Sequence, residues 1–295
     1  MIGHDDYTFL CTLLRGTSGL SLGPGKEYLL ESRLPPVAKT YGFPSLAELI
    51  AALRNRPHAE LVKAVSDAMT TGETLFFRDT VPFEMLRGLV LPRIADRCRR
   101  EGRPLRIWCS AASTGQEPFS VAMLLAEMHP QLAGVRVELL ATEYASHAIN
   151  RARRGVFTQL EVQRGLPERL LRKYFIEGPD GYRISDDIRR RVTFRELNLL
   201  ASFRSLGQFD VILCRNVLIY FDAATKKDVL DRLAHALAPD GHLFLGATES
   251  AFGLTDSLVR VADAATSLHV RRDDAAAIEE WYRAQRESRP VSPAA

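Results

Sequence analysis

The sequence predicts an α/β protein: a mostly parallel sheet covered by helices, preceded by an all-α domain and interrupted by a small antiparallel β insertion. Short apolar runs alternate with helical patterns from about residue 104 onwards, which is typical of a parallel sheet with helices on both faces. Residues 1–90, in contrast, contain no convincing strand pattern. A turn cluster at 178–181 lies between two short alternating runs, which favours an antiparallel unit.

The first 90 residues are predicted to form a helical domain. Apolar residues recur at helical spacing within 9–14 and 61–69, as on the buried face of an amphipathic helix. Pro35 and its neighbouring proline are expected to end a helix, because proline disrupts the helix interior. Ser45 is placed to cap a following helix, with Glu48 at the capping-box position.

Residues 91–275 are predicted to form the α/β domain, with the antiparallel insertion at 178–195. The patterns predict strands at 105–109, 135–141, 209–214 and 242–246, and a closing hairpin from 258–262 and 267–271. They predict helices from residue 118 to 129, over 145–153 and over 223–237, and a turn at 239–241. The segment 276–295 is charged, rich in alanine and ends with two prolines among its last six residues, so it is expected to be a flexible tail made of a frayed helix and a disordered end.

The composition of the chain argues against several classes of protein. The chain has 295 residues and a net charge of +3, which argues against a strongly basic nucleic-acid-binding protein. No stretch approaches the roughly 18 apolar residues that span a bilayer, and the first twenty residues do not resemble a signal peptide. The four cysteines form no CxxC pair. We therefore expect a cytoplasmic protein with reduced cysteines, no membrane insertion and no metal site.

The first chemical signal follows the first predicted strand. The segment Ser110-Ala-Ala-Ser-Thr-Gly-Gln-Glu-Pro118 joins that strand to a helix, and ligands in open α/β sheets bind at such carboxyl ends. It has one glycine and no GK[ST], so a phosphate-binding P-loop is not expected. Glu117 opens the helix, where a carboxylate is favoured by the helix dipole alone. It is either a helix-capping acid or a carboxylate that holds a ligand's ammonium or hydroxyl.

Further polar residues follow the other predicted strands. Glu143 ends the second strand, where an acid accepts the ribose hydroxyls in dinucleotide-binding folds, although a solvated strand-end acid is the alternative. Asn198 and Leu199 follow a possible third strand, and Arg215 and Asn216 directly follow the strand 209–214. We expect these side chains to share one pocket.

Four segments together resemble the CheR family of chemotaxis receptor methyltransferases, which use S-adenosylmethionine. They are Thr74-Leu-Phe-Phe-Arg78, Trp108-Cys-Ser-Ala-Ala-Ser-Thr-Gly-Gln-Glu-Pro118, Glu196-Leu-Asn-Leu-Leu200 and Phe209-Asp-Val-Ile-Leu-Cys-Arg-Asn-Val-Leu-Ile-Tyr-Phe221. The resemblance covers about residues 5–272. It implies a Rossmann-like methyltransferase domain, and methyl transfer to glutamate side chains in the cytoplasmic helical bundle of chemoreceptors, with S-adenosylhomocysteine as the product.

The resemblance also implies roles for individual residues. It makes Arg78 and Tyr220 candidate catalytic residues near the transferred methyl group. The positions that it matches to cofactor contacts are Thr74, Arg78, Glu117, Glu143, Asn198, Leu199, Arg215 and Asn216. Two positions depart from the family pattern: Gly72 stands where asparagine is usual, and Glu143 stands where aspartate is usual.

Little general acid–base catalysis is expected, because a free glutamate has a pKa of about 4.3 and is already an ionised nucleophile at neutral pH. Arg78 could hold one carboxylate oxygen while the other attacks, and Tyr220 could orient the carboxylate or line the methyl path. Phe76 and Phe77 are interpreted as core residues.

Partner recognition is the least defined part of the prediction. Five basic residues of the helical front are either a solvated face or a surface for an acidic receptor bundle: Lys26, Arg33, Lys39, Arg54 and Arg56. In some family members the β insertion captures a receptor peptide by strand addition. The protein is expected to be a monomer. The alternatives are a methyltransferase for another protein or small carboxylic acid, and a cofactor-sensing module without turnover.

Overall fold

The computed structural model describes residues 2–262 and 264–287. Its first part is a group of amphipathic helices whose buried leucines, such as Leu10, Leu30 and Leu49, form one core. Ser45 caps the fourth helix, since its hydroxyl accepts the backbone N–H of Glu48, as predicted. These helices are α1 (His4–Ser18), α2 (Glu27–Arg33), α3 (Pro35–Thr40), α4 (Leu46–Asn55) and α5 (Ala59–Met69).

A second core begins at Phe76 and belongs to the sheet. Helix α6 (Val81–Met85), a π-helical turn (Leu86–Val90) and α7 (Leu91–Glu101) follow one another directly and contribute buried residues to that core. Residues 81–90 therefore pack with the sheet, whereas the prediction placed them in the front domain. Their helical pattern could not reveal which core they join.

The central sheet has seven strands in the order β6-β2-β1-β7-β8-β10-β9. The first five of these are parallel, and β10 runs antiparallel to both β8 and β9. The strand order reverses at β1, which has β2 on one side and β7 on the other. A crevice therefore opens at the carboxyl ends of β1 and β7. The strands are β1 (Leu105–Cys109), β2 (Val137–Glu143), β6 (Val192–Glu196), β7 (Phe209–Cys214), β8 (Leu237–Leu245), β9 (Leu258–Arg260) and β10 (Leu268–Arg271).

The predicted mostly parallel α/β fold with an all-α front is confirmed. Strands β1 and β7 have the predicted bounds, and the closing hairpin forms from β9 and β10. The helices of this part are α8 (Gln116–Glu127), α9 (Ser146–Arg154), α10 (Gln159–Gln163), α11 (Glu168–Tyr174), α12 (Asp186–Arg189), α13 (Ala223–Ala236) and α14 (Ala275–Glu287).

The antiparallel unit exists, but its composition differs from the predicted insertion at 178–195. It consists of β3 (Val156–Phe157), β4 (Phe175–Gly178) and β5 (Gly181–Ile184), in the order β3-β5-β4. The second predicted strand of the insertion is instead β6, which pairs in parallel with β2. Alternation along a short strand shows that one face is buried, and it does not identify the partner strand.

Two further predictions need correction. The turn predicted at 239–241 lies within β8, where Asp240 has a positive φ of 55° and the register with β7 shifts. The helix expected in the flexible tail from residue 276 is present to Glu287, but it packs on the core instead of fraying, with Ile278 and Tyr282 buried; the disordered end expected after it, residues 288–295, lies outside the described part of the chain. Within the described residues, none of the helices is long and apolar enough to cross a membrane.

Glu127 connects helix α8 to helix α11. Its carboxylate receives Lys173 Nζ at 2.7 Å and the Tyr174 hydroxyl at 2.6 Å, and Arg169 lies beside it. The hydrogen bond from Lys173, with help from Tyr174 and Arg169, lowers the pKa of Glu127 to about 2. The charged carboxylate is thus favoured by folding at neutral pH.

We expect Glu127→Gln to lower the free energy of unfolding at pH 7 by about 1 kcal/mol, because solvent screening reduces the value of an ion pair at the surface. A depressed carboxyl pKa stabilises the fold above the unfolded value of about 4.3, and this stabilisation is lost as the pH falls through about 2. Urea unfolding at several pH values measures the difference between the two proteins. Glu168→Gln, which removes an exposed pair in α11, is the control. A difference independent of pH would contradict the expectation.

Candidate functional site

One cleft lies at the carboxyl ends of β1, β2 and β7, and the front helices close one side of it. It brings together all nine residues singled out in the sequence, which come from five separate stretches of the chain: Thr74, Arg78, Glu117, Glu143, Asn198, Leu199, Arg215, Asn216 and Tyr220.

The loop after β1 forms one wall of the cleft through Ser110, Ala111 and Ser113. Gly115 at its end has φ of +102°, which favours glycine, and a Cβ there would lie 3.0 Å from the Cβ of Ala152. The glycine thus permits α8 to pack against α9. The part of the loop that lines the cleft consists of small residues instead: Ser110, Ala111 and Ser113.

Glu143 is more than a solvated acid at the end of a strand. Its Oε2 accepts the backbone N–H of Ser113 at 2.8 Å, and its Oε1 accepts the N–H of Ala145 at 2.9 Å. The carboxylate therefore fastens the loop after β1 to the end of β2. Each oxygen of a carboxylate has a further lone pair, so the group can still accept hydrogen bonds from a ligand in the cleft.

Glu117 and Arg215 form a buried ion pair at the centre of the site. Arg215 Nη1 donates to Glu117 Oε2 at 2.8 Å, and the two side chains are only 1% and 9% exposed. Burial raises the pKa of Glu117 above its ordinary value, and the charge of Arg215 opposes that rise. The other oxygen of Glu117 accepts no hydrogen bond among the described residues, and Arg215 Nε is buried without a partner there.

Arg215 also holds the segment that enters the cleft from the front domain. Its Nη2 donates to Asp79 Oδ2 at 2.7 Å and to the backbone carbonyl of Arg78 at 2.8 Å. Phe77, Asp79 and Thr80 all have positive φ values, between 47° and 67°, which cost strain in residues other than glycine. The buried guanidinium thus helps to keep a strained turn in the conformation that brings Arg78 to the cleft.

Sequence reasoning missed Asp79, although it adjoins a predicted residue. Its partner lies 136 positions away in the chain, so nothing local indicates the pairing. The interpretation of Phe76 as a core residue is confirmed, since it is fully buried and packs edge-on against Phe157 and Phe175.

Gly72, the first departure from the family pattern, keeps the local backbone in contact with the loop after β1. Its carbonyl accepts the hydroxyl of Ser113 at 2.8 Å. A Cβ at this position would meet only Ser113 Oγ, at 3.5 Å, which is ordinary van der Waals contact. The position has room for a side chain, so steric crowding does not explain why glycine stands here in place of the family's asparagine.

The front helices close the cleft through direct hydrogen bonds. Asn198 Nδ2 donates to the backbone carbonyl of Thr17 at 2.6 Å, and the N–H of Ser21 donates to the carbonyl of Tyr220 at 2.8 Å. Lys63 Nζ donates to the carbonyl of Tyr144, another residue of the cleft, at 2.8 Å. The amide of Asn198 thus ties the site to α1, a use that its sequence context did not indicate.

Two of the five basic residues of the front domain donate hydrogen bonds within the protein. Arg33 donates to the backbone carbonyls of Met69 and Thr70, the residues that lead into the cleft. Arg54 pairs with Asp6 and stacks on Phe9. An acidic partner would therefore meet mainly the other three residues of this group.

Comparison with known proteins gives matches over most of the chain. Residues 72–265 match the family described as CheR methyltransferase, SAM binding domain, and residues 5–70 match the CheR methyltransferase all-alpha domain. The chain is 43% identical over 255 residues to chemotaxis protein methyltransferase 1 of Pseudomonas aeruginosa, which covers 85% of this chain and 92% of that protein. It is 41% identical over 258 residues to chemotaxis protein methyltransferase Cher2 of Pseudomonas putida, covering 86% and 93% respectively. These matches include both the front helices and the cleft.

Proposed function

This chain belongs to the CheR methyltransferase family, and we propose that its cleft is where a chemoreceptor glutamate meets S-adenosylmethionine. The protein is an S-adenosylmethionine-dependent methyltransferase that forms glutamyl methyl esters on chemoreceptors. What remains to be assigned is the part that each residue plays. The following assignments rest on the contacts within the cleft.

The Glu117–Arg215 pair is the observation that best supports this use of the cleft. The methionine end of the cofactor carries an ammonium and a carboxylate. The pair leaves one carboxylate oxygen of Glu117 without a hydrogen bond and one buried N–H of Arg215 without a partner among the described residues. Glu117 thus offers an acceptor for the ammonium, and Arg215 and Arg78 offer donors for the carboxylate beside it. The residues present fit the group.

The adenosine end would lie toward β2. We assign the ribose hydroxyls to Glu143, whose oxygens keep lone pairs beyond those used by Ser113 and Ala145. Asn198, Leu199 and Asn216 would contact the adenosine, and Thr74 would adjoin the methionine part. The longer side chain of Glu143, relative to aspartate, is compatible with this role because two backbone N–H groups fix its orientation.

The chain's own contribution to the reaction is alignment and exclusion of water. When bound, the cofactor supplies a methyl group on a sulfonium, which an ionised carboxylate attacks without a general base. Arg78 would hold one oxygen of the substrate glutamate, and Tyr220 would orient the carboxylate at the mouth of the cleft. Holding reactants in line in a site closed to water accounts for much of the rate enhancement in such reactions.

The substrate surface would be the cytoplasmic helical bundle of the receptors, approached by the front domain. Lys26, Lys39 and Arg56 are the basic residues of that domain that suit an acidic bundle, and such contacts are sensitive to salt. The enzyme would act as a cytoplasmic monomer. Its four cysteines are free, as is usual in a reducing compartment.

We expect Arg78→Ala to lower kcat about 100-fold with little change in receptor binding, because it removes a group that aligns the reacting carboxylate. Transfer of tritiated methyl groups to receptor-containing membranes measures the rate, and alkali lability identifies the ester. Arg164→Ala is the matched control. Arg78 donates to the backbone carbonyl of Glu73 and Arg164 donates to its carboxylate, but Arg164 lies outside the cleft. Wild-type turnover by Arg78→Ala would contradict this role.

Calorimetry with S-adenosylhomocysteine tests the use of the cleft. Binding by the wild-type protein, followed by transfer to receptors, supports the proposal. Tight binding without transfer to any receptor would favour a sensor of the cofactor, and transfer to soluble carboxylic acids alone would favour a different substrate class.

A further inference from the structure

Glu249 lies just outside the cleft and follows the end of β8. It is only 6% exposed and does not line the cleft. No basic side chain forms an ion pair with it among the described residues. A buried carboxylate requires compensation, and here the compensation comes from the backbone.

Four backbone N–H groups converge on the two oxygens of this carboxylate. Oε2 accepts the N–H of Asn216 at 2.8 Å and that of Gly246 at 2.7 Å. Oε1 accepts the N–H of Val217 at 2.9 Å and that of Ile219 at 3.3 Å. Hydrogen bonds to an ionised acceptor are stronger than those between neutral groups. Three of these four donors belong to the segment 215–221, which we call the cleft loop.

Five residues of the cleft loop line the cleft: Arg215, Asn216, Val217, Tyr220 and Phe221. Asn216 has a positive φ of 57°, a conformation in which asparagine is common among non-glycine residues. A Cβ on Gly246 would lie 2.6 Å from Glu249 Oε2 and 2.9 Å from the N atom of Asn216. The carboxylate, the glycine and the loop are therefore fitted closely to one another.

We propose that Glu249 is a positioning residue, which sets the cleft loop in the conformation that binds the cofactor and orients Tyr220. It acts through the backbone of the loop and touches no ligand. This inference rests on the proposed use of the cleft, and it adds a residue that belongs to none of the segments on which the family resemblance depends.

Glu249→Gln is the sharpest test, because glutamine has nearly the same shape but only one carbonyl oxygen. In either orientation its NH₂ group faces two backbone N–H groups, which are donors as well. We expect kcat/KM for S-adenosylmethionine to fall by about 10- to 100-fold, as for a misplacement of aligned groups, and the Kd for S-adenosylhomocysteine to rise. Glu249→Asp keeps both oxygens but draws them back from the four N–H groups on a shorter stem, so its kcat/KM should lie between those of Glu249→Gln and the wild type.

Ser267→Ala is the matched control for simple destabilisation. The Ser267 hydroxyl donates to the backbone carbonyl of Glu249 at 2.7 Å, so its loss weakens the same turn but leaves the four N–H contacts in place. We expect a lower Tm with kcat/KM within about twofold of wild type, because no reacting group moves.

Three outcomes would overturn the inference: wild-type kinetics in Glu249→Gln, an equal kinetic loss in Ser267→Ala, or, if Glu249→Gln does not fold, wild-type kinetics in Glu249→Asp. Failure of the wild-type protein to bind S-adenosylhomocysteine would instead contradict the proposed use of the cleft. The two failures are therefore distinguished in one set of measurements.

Discussion

Arg215→Met is expected to lower kcat/KM by at least about 1,000-fold. The buried guanidinium of Arg215 compensates the charge of Glu117, binds the carboxylate of Asp79 and donates a hydrogen bond to the backbone carbonyl of Arg78. Its loss leaves a buried carboxylate without its counter-charge, which typically costs about 3–5 kcal/mol of stability. The strained turn at 77–80 also loses its anchor, so Arg78 no longer points reliably to the cleft. Kinetics with receptor membranes and thermal unfolding measure the two effects.

The double variant Arg215→Met/Glu117→Gln separates these two effects. The neutral amide no longer needs a counter-charge, so stability should recover for the most part, while activity should stay low because both ligand contacts and the anchor of Asp79 are missing. In the single variant, loss of Arg215 removes the charge that opposes the rise in the pKa of Glu117. That carboxyl should then protonate more readily, and the stability deficit should shrink as the pH falls. An Arg215→Met enzyme within tenfold of wild-type kcat/KM would refute the central role of this residue.

Asp210→Ala is expected to lower the free energy of unfolding by about 3 kcal/mol, with cofactor affinity unchanged. Asp210 is 1% exposed and lies at the start of β7, at the end of the strand opposite the cleft. Its carboxylate receives Arg97, both terminal nitrogens of Arg103 and the backbone N–H of Arg106, all within 2.8–3.0 Å. Removal of the carboxylate leaves the N–H of Arg106 without its acceptor and takes the buried counter-charge from Arg97 and Arg103, which keep only their more exposed partners Asp240 and Glu101.

Guanidinium chloride unfolding and calorimetry with S-adenosylhomocysteine measure the two quantities for Asp210→Ala. Glu138→Ala is the matched control: it removes a carboxylate that pairs with Arg106 and Arg136 but is 43% exposed, so the cost should be below about 1 kcal/mol. Equal losses in the two variants would show that burial of the Asp210 network adds nothing to stability.

The elements that could be predicted from the sequence are those whose pattern needs no knowledge of the partner. Strand β7 has all six residues buried, and such an apolar run identifies a central strand wherever it pairs. Strand β6 alternates, and that pattern fits an antiparallel unit as well as the edge of the main sheet, where it pairs with β2. In α14, the charged and alanine-rich composition masked Ile278 and Tyr282, which are spaced to bury one face.

The residues of the site also fall into two groups, those that could be predicted from the sequence and those that could not. Residues within the compact segments, such as Glu117 and Arg215, could be singled out because their chemistry and their place at the end of a strand are visible locally. Asp79 and Glu249 could not, because their roles depend on partners 136 and 33 positions away. Their carboxylates stand out only when the fold shows which guanidinium or backbone donors surround them. The roles of Arg78, Glu117 and Arg215 in the cleft are predictions that the variants above test.

The hydrogen bonds from Asn198 to Thr17 and from Ser21 to Tyr220 also indicate when the binding site can form as the chain is synthesised. The front helices leave the ribosome first and have a core of their own, as domains made early commonly do. The groups that close the cleft against them come about two hundred residues later. A nascent chain that stops before β7 therefore has its front domain but no binding site, so affinity for the cofactor should arise abruptly, late in translation.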